Sequence, residues 1–529
     1  MKRKDSSQKV ILLRPPEDSP RDFYSIVESL GIAYIASYIR EKGEKVRIID
    51  SIIQDLDVKQ TVNYLLREDF DILGITLFNV AVDKTRRILK ILKKEKPYVH
   101  INVGGHYPTF AYKEIIDNIE EIDSVTRFEG EITFYELIQA LRGKVNPQKV
   151  PGLVIRNSKN EFYLTPHRER IKNLDSLPFP SRETWPRIQK DKKAFSVCSS
   201  RGCWAKCKYC TITQFYSSNG VPKWVGRTPQ NVLNEIEKLI NEYNSKFFAF
   251  VDADFFGPGY KGKQRVKTIA QEIIKRRLNI KYAFDCRPDD IDEELFTFLK
   301  ETGLSLVYLG LESGVQAQLA RWGRQCNLED GLKAVDILKK LGILIQAGFI
   351  LYDPWTTLDE IVASLEFIKE VKVVSLPLFV RAMEIRPGMD LEKKLIEESN
   401  IYKRAPFDYG YYFKDKKVTI FRDGISYIFE DLLNFYKKFA EEREKSTLAS
   451  EESAKLERYF IGNVVDIALN LALELKKLTL SDEIEIKKLF KNGRREAEDL
   501  CASFIRLFAS VLTIKNLICH GRKNSEILN

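Results

Sequence analysis

Residues 199–210 read SSRGCWAKCKYC, and the cysteines Cys203, Cys207 and Cys210 follow the spacing C-x-x-x-C-x-x-C. Thiolates hold iron-sulfur clusters, commonly one sulfur per iron, so a compact trio anchors three corners of a cubane and leaves its fourth iron open to another ligand. An open iron points to chemistry rather than to electron storage. The other reading of three close cysteines is a zinc knuckle, but structural zinc sites use C-x-x-C pairs completed by a second pair or by histidines. The chain has no second pair. Cys198 stands five residues upstream as a possible fourth ligand, although FSVCSSR reads as a strand that leads into the loop.

Downstream of this loop, apolar runs alternate with amphipathic ones. FFAFVDADFF, KYAFDCR, LVYLGLES, LIQAGFILYDP and LPLFVRAMEIRPG read as strands, and helical stretches such as VKTIAQEIIKRRL, LEDGLKAVDILKKLG and TLDEIVASLEFIKEV lie between them. With FSVCSSR and TPQNVLNEIEKLINEYN at the front, this predicts six strands in a partial βα barrel over residues 195–390. Upstream, KVILLRPP, KVRIID, DILGITLF, HINVGG and SVTRFE alternate with five helical stretches, which predicts a Rossmann-like, doubly wound parallel sheet over residues 1–145. Residues 146–194 read as a linker, in which PGLVIRN pairs with EFYLTP before the Pro-rich LDSLPFPSRETWP. From residue 391 to 529 the pattern becomes mainly α-helical, behind the aromatic run APFDYGYYF, and predicts a cap that shapes a substrate pocket. The fold class is therefore α/β with a helical C-terminal region.

The bulk numbers exclude several classes. At 529 residues and 44% hydrophobic content the chain supports two or three cores without disulfides. Eight cysteines in this length are far from a secreted disulfide scaffold, and a thiolate cluster suits a reducing, cytoplasmic setting. The formal charge of +10 is spread along helices such as RRILKILKKEKP, where it reads as a solvated face, so neither nucleic acid nor membrane is an expected partner. MKRKDSSQKVILLRPP carries too short an apolar run for a signal peptide, and no run approaches a membrane span.

The SRGC context and Tyr209 before the last cysteine resemble the radical S-adenosylmethionine superfamily, in which S-adenosylmethionine (SAM) chelates the open iron of a [4Fe-4S] cluster. LLRPP, SLGIAYIASYIREKGEKVRIID, VGGHYPT and FEGE resemble the cobalamin-binding domain that precedes such barrels in the cobalamin (B12)-binding branch. The resemblance covers about residues 8 to 390 and implies roles for particular residues. Cys203, Cys207 and Cys210 ligate the cluster, and Tyr209 lays its backbone against adenine. Glu312 and Ser313 contact the methionine or ribose of SAM, and Arg287 grips its carboxylate. Asp252 and Asp254, in a variant of F-x-D-D-x-F, either bind its amino group or cap the next loop. Apart from the resemblance, alternation along the later strands, if it holds, turns Gln346 and Arg381 to the mouth. Gly104 and Gly105 admit the cobalamin tail, with His106 and Glu129 beside it. D-x-H-x-x-G, whose histidine ligates cobalt in many other cobalamin proteins, is missing.

By resemblance, then, the cofactors are a [4Fe-4S] cluster, SAM and cobalamin. The implied activity is methylation of an unactivated carbon of a small-molecule or peptide biosynthetic intermediate, by 5′-deoxyadenosyl-radical hydrogen abstraction and methyl transfer from methylcobalamin. Electrons would come from a donor such as flavodoxin or ferredoxin. A radical rearrangement or cyclisation without methyl transfer is the alternative. An RNA-modifying methylthiotransferase fits less well, because that class needs further cysteines in its first domain and none precedes Cys198.

Overall fold

The computed structural model describes residues 9–17, 28–156, 161–185, 194–217, 221–405, 407–436 and 451–525. The basic start MKRKDSSQ and parts of the predicted linker lie outside them. The first sheet contains β1 (Lys9–Arg14), β2 (Lys45–Asp50), β3 (Ile72–Thr76), β4 (His100–Gly104) and β5 (Ser124–Thr126), parallel and in the order β2-β1-β3-β4-β5. α1 (Leu30–Glu41), α2 (Val58–Arg67), α3 (Val82–Glu95), α4 (His106–Asn118) and α5 (Gly130–Leu141) alternate with the strands. Strands covered on both faces must be apolar throughout, which is why β1 reads KVILLR and is buried over five of its six residues. The order of connection reverses between β1 and β3, so the crevice for a ligand opens beyond their carboxyl ends. The predicted hairpin forms as β6 (Leu153–Arg156) and β7 (Phe162–Leu164), and β6 pairs antiparallel with β5, so it extends this sheet.

One boundary differs from the sequence pattern. α4 begins at His106, not at the apolar-periodic KEIIDNIEEI, because Gly105 turns the chain at φ +113° and Pro108 falls in the first turn, where a missing N–H costs nothing.

The second sheet is parallel, in the order β14-β13-β12-β11-β8, with β8 (Phe195–Val197), β11 (Phe247–Phe250), β12 (Lys281–Cys286), β13 (Leu304–Glu312) and β14 (Leu344–Phe349). Its helices start on strong caps. Thr228 accepts from Asn231 N–H ahead of Pro229, and Asn327 with Asp330 and Thr357 with Glu360 form capping boxes. The predicted strand FSVCSSR divides into β8 and β9 (Ser200–Gly202), and β9 pairs antiparallel with β10 (Trp224–Gly226).

The sixth predicted strand is reduced to one parallel bridge, Tyr352 to Ala382, because Pro377 draws Leu376–Phe379 into a 3₁₀ turn. Among the described residues the half-barrel therefore has five hydrogen-bonded strands and an open side. Helices Lys416–Ile428 and Glu451–Lys477 pack there, with Phe421, Ile425, Val464 and Ala468 sharing a core with Ile361, Leu365 and Ile368 of helix Leu358–Val371. Helix Glu483–Ser525 follows. The aromatic run expected after residue 395 forms the hairpin β15 (Ile401–Ala405) and β16 (Asp408–Tyr411), which reaches back to α4. Lys403 pairs with Glu114 at 2.7 Å, and Phe407 enters the first domain's core. Among the described residues no helix is long and apolar enough to cross a membrane.

Candidate active site

Gly202 fixes where the cysteine loop begins. Its φ is +86°, and a methyl group there would lie 1.9 Å from the Lys223 carbonyl oxygen, so only glycine lets β9 and β10 pair and turn into Cys203. The loop is then held from outside. Lys208 N–H donates to Trp322 O at 2.8 Å, Lys208 O accepts from Leu391 N–H at 3.3 Å, and Cys210 N–H donates to Cys207 O at 3.1 Å. Trp322 is locked in turn by its indole N–H on the buried Asp353 carboxylate at 2.7 Å, and it meets the Tyr209 ring edge-on at 5.5 Å.

The thiols lie among charges from the segment after β11 and from the one after the short helix Gln316–Arg321. Cys203 Sγ is 3.6 Å from Asp254 Oδ2, and Arg324 Nη1 is 3.7 Å from Cys207 Sγ. Burial, reinforced by Asp254, pushes the Cys203 thiol up to about 12, and burial with the charges of Cys207 and Glu312 raises Cys210 to about 11. Metal loading must therefore displace protons. Among the described residues no three His, Cys, Asp or Glu side chains close around a single ion. Cys198 donates to Ser200 O at 3.1 Å.

Glu312 closes β13 in a left-handed conformation, φ +68°, at a register shift against β14. A non-glycine residue there stores backbone strain, which commonly marks a functional position. Its carboxylate lies 3.9 Å from Arg324 and above Gly310 and Gly348, whose lack of side chains keeps the strand ends bare. Ser313 is buried and engaged locally: it accepts Val315 N–H at 2.9 Å and its hydroxyl donates to Gln318. Arg287 ends β12 in a two-pronged bond to Asp289, 2.9 Å on each prong, with its guanidinium 4.6 Å over the Trp204 ring. Among the described residues Arg287 Nη1 and Arg324 Nε are buried without a hydrogen-bond partner, two cationic edges that could receive an anion.

The two aspartates of FVDADFF have different surroundings. Asp252 accepts Ser199 N–H at 2.7 Å, Ser200 N–H at 2.8 Å and the Ser199 hydroxyl at 2.5 Å, so both its oxygens serve the segment that leads into β9. Asp254 stands at the loop itself, against Cys203 and Gly257 N–H. Gln346 is exposed on β14, and Arg381 is exposed on the segment that follows the 3₁₀ turn.

The first domain brings its strand ends to the same place. Gly104 lies against β5, where a methyl group would sit 3.2 Å from Thr126 O, and Gly105 turns the chain into α4. His106 then stacks on Phe215 at 3.9 Å, in the short helix Ile212–Phe215 that follows Cys210. Burial and Arg386 lower the His106 ring to about 4, so it is neutral. Phe78 and Val80, after β3, stay 43% and 39% exposed and flank Asn79, which bonds Glu384 of the barrel side. Bare glycines at the end of β4, beside open apolar side chains after β3, suit a large flat ligand. Glu129 accepts Ile171 N–H at 2.8 Å and Arg201 at 2.8 Å, and Glu131 takes the other arm of Arg201 at 2.6 Å. Sequence reasoning assigns no role to Arg201 in SRGC, to Glu131 in FEGE or to Arg324. Their local signal is an adjacent glycine, Gly202, Gly130 and Gly323 respectively.

Comparison with known proteins agrees with this arrangement. A family model for the B12 binding domain matches residues 21–138, and one for the radical SAM superfamily matches residues 197–368. The chain is 30% identical over 373 residues to the uncharacterized methyltransferase PH0819 of Pyrococcus horikoshii, covering 69% of this chain and 78% of that protein. It is 28% identical over 329 residues to an anaerobic magnesium-protoporphyrin IX monomethyl ester cyclase of Rubrivivax gelatinosus, covering 60% of this chain and 58% of the cyclase. The solved structure of the cobalamin-dependent SAM radical enzyme OxsB with aqua-cobalamin bound shares the fold, with a TM-score of 0.77, 18% identity, and 96% of this chain and 81% of that chain covered. With the thiol loop, the strand-end charges and the glycine turn all in place, the chain belongs to the cobalamin-binding radical SAM enzymes, whose cofactors are cobalamin, a [4Fe-4S] cluster and SAM.

Proposed function

We propose that this protein is a C-methyltransferase that acts on an unactivated carbon of a small-molecule or peptide biosynthetic intermediate. The observation that supports the proposal is the stack of His106, which follows the Gly104–Gly105 turn, on Phe215, five residues beyond the last cysteine, an arrangement in which the two proposed cofactor sites would lie side by side. When bound, the cluster with SAM supplies a hydrogen-abstracting radical and cobalamin supplies a methyl group. The chain's own part is to hold and orient. Cys203, Cys207 and Cys210 hold the cluster. Arg287 and Arg324 receive the SAM carboxylate, and Glu312, held over the bare Gly310 and Gly348, accepts from its ammonium or a ribose hydroxyl. Gly104 and Gly105 admit the cobalamin tail, and the β15–β16 hairpin with the C-terminal helices shapes the substrate pocket. A flavodoxin or ferredoxin delivers the electron.

The cyclase relative favours a second reading, radical cyclisation without methyl transfer. Product analysis separates the two. Methylation consumes two SAM molecules: one loses its methyl and leaves as S-adenosylhomocysteine, and the other gives methionine and 5′-deoxyadenosine. Cyclisation needs the second alone. Anaerobically reconstituted protein with cobalamin and reductant is expected to yield both nucleosides. Formation of 5′-deoxyadenosine without S-adenosylhomocysteine would refute methyl transfer, and full SAM cleavage by a triple Cys203, Cys207, Cys210→Ala variant would refute the radical assignment.

A further inference from the structure

Arg201 belongs to the barrel strand β9, yet its side chain is spent on the other domain. Nη1 donates to Glu129 Oε1 at 2.8 Å and Nη2 donates to Glu131 Oε1 at 2.6 Å, with all three side chains less than a tenth exposed. Its guanidinium lies 5.1 Å from the Tyr34 ring of α1, and its carbonyl accepts from Arg170 Nη2 at 3.2 Å. Arg170 also holds Pro222 O and covers the Tyr216 ring at 4.6 Å.

Removing three charges from water is expensive, and such a triad gives little net stability compared with an apolar cluster of the same volume. What it gives is geometry, because a planar fork satisfied by two separate carboxylates has one orientation. One end of that fork is two residues from Cys203, through Gly202, which pairs with Trp224 and passes too close to the Lys223 carbonyl for any Cβ. Its acceptors sit at the start of α5, on the loop after β5, the strand paired with the Gly104 strand. The far end of the cysteine loop meets the same domain through the His106–Phe215 stack.

We infer that Arg201 is a positioning residue that sets the cluster loop at a fixed distance from the cobalamin-binding domain, by gripping Glu129 and Glu131 together. This rests on the reading of two adjacent cofactor sites. The test uses full-length protein reconstituted with cluster and cobalamin, wild type beside Arg201→Lys and Glu131→Gln. Iron and corrinoid content, thermal midpoint, and the spin relaxation of Co(II) cobalamin in the presence of the reduced cluster are measured on each. Wild type is expected to show relaxation enhanced by the neighbouring cluster. Both variants are expected to keep iron and corrinoid but lose that enhancement, and the ratio of S-adenosylhomocysteine to 5′-deoxyadenosine is expected to change by ~10-fold or more, since displacements near 1 Å carry effects of this size. Lysine keeps the charge but cannot span both carboxylates, so rescue by Arg201→Lys would reduce the residue to charge balance and overturn the inference. Unchanged relaxation in Glu131→Gln would overturn it too. Wild type that binds both cofactors without mutual relaxation would overturn the adjacency itself, whereas wild type that binds no corrinoid would overturn the functional reading and this inference with it.

Discussion

Replacing Asp252 decides between two duties for the end of the FVDADFF strand. If its carboxylate gripped the amino group of SAM, Asp252→Asn would remove the gripping charge and SAM cleavage would fail. The geometry gives it a different task, for both oxygens are taken by Ser199 and Ser200, just before the cysteine loop. Asparagine presents the same oxygen to both N–H groups, and the Ser199 hydroxyl can turn to accept from the new amide. Alanine leaves two buried N–H groups and a hydroxyl unpaired, at about 1–3 kcal/mol each, so Asp252→Ala costs roughly 3–5 kcal/mol after the loop relaxes. Burial outweighs these hydrogen bonds and raises the Asp252 carboxyl to about 6. The folded state therefore binds this proton more tightly than the unfolded state, so stability falls as pH rises from the ordinary carboxylate range to about 6. That loss amounts to about 3 kcal/mol, and it is absent in the asparagine variant. Denaturant unfolding from about pH 4 to about pH 7, with iron content and 5′-deoxyadenosine yield on the reconstituted proteins, measures all three effects. Asp252→Asn is expected to keep iron and SAM cleavage and to flatten the pH slope, whereas Asp252→Ala is expected to lose the cluster. An Asp252→Asn protein that holds iron but cannot cleave SAM would refute the loop-anchor reasoning.

Three further outcomes follow from the geometry. Arg287→Gln removes the buried cationic edge at Nη1, so equilibrium dialysis of SAM against cluster-loaded protein should show binding weakened by ~10- to 100-fold, the equivalent of one charge-assisted hydrogen bond. Gly388→Ala puts a methyl group 2.5 Å from the Phe110 ring on a backbone at φ +90°, so it should lower stability by about 2–4 kcal/mol in a melt, and Phe110→Ala should recover part of that loss. Phe407→Ala empties a core position in the first domain, so it should cost about 3 kcal/mol and make the β15–β16 hairpin cleavable by limited proteolysis while iron content is unchanged.

Both sheets could be read from the chain because parallel strands buried on two faces appear as short continuous apolar runs, and because cysteine spacing is a local property. LPLFVRAMEIRPG shows where such reading ends. Its apolar run is as convincing as that of LIQAGF, but Pro377 takes Leu376–Phe379 out of the ladder, and the helices that cover the open side make a sixth full strand unnecessary. The site divides in the same way. Asp254, Arg287 and Glu312, at or just beyond the ends of three barrel strands, reach the cysteine loop directly or through Arg324, and each is open to reading from its own strand's end. The partners of Arg201 lie 72 and 70 residues away in another domain, so no local pattern could pair them. A charge between small residues reads as solvated until the chain is folded, and only then does its burial appear. Burying Arg201, Glu129 and Glu131 gains little stability over an apolar contact, so their presence in the interface is accounted for by orientation: three charges that must meet hold two domains in one relation, which greasy side chains of equal volume would leave free to slide.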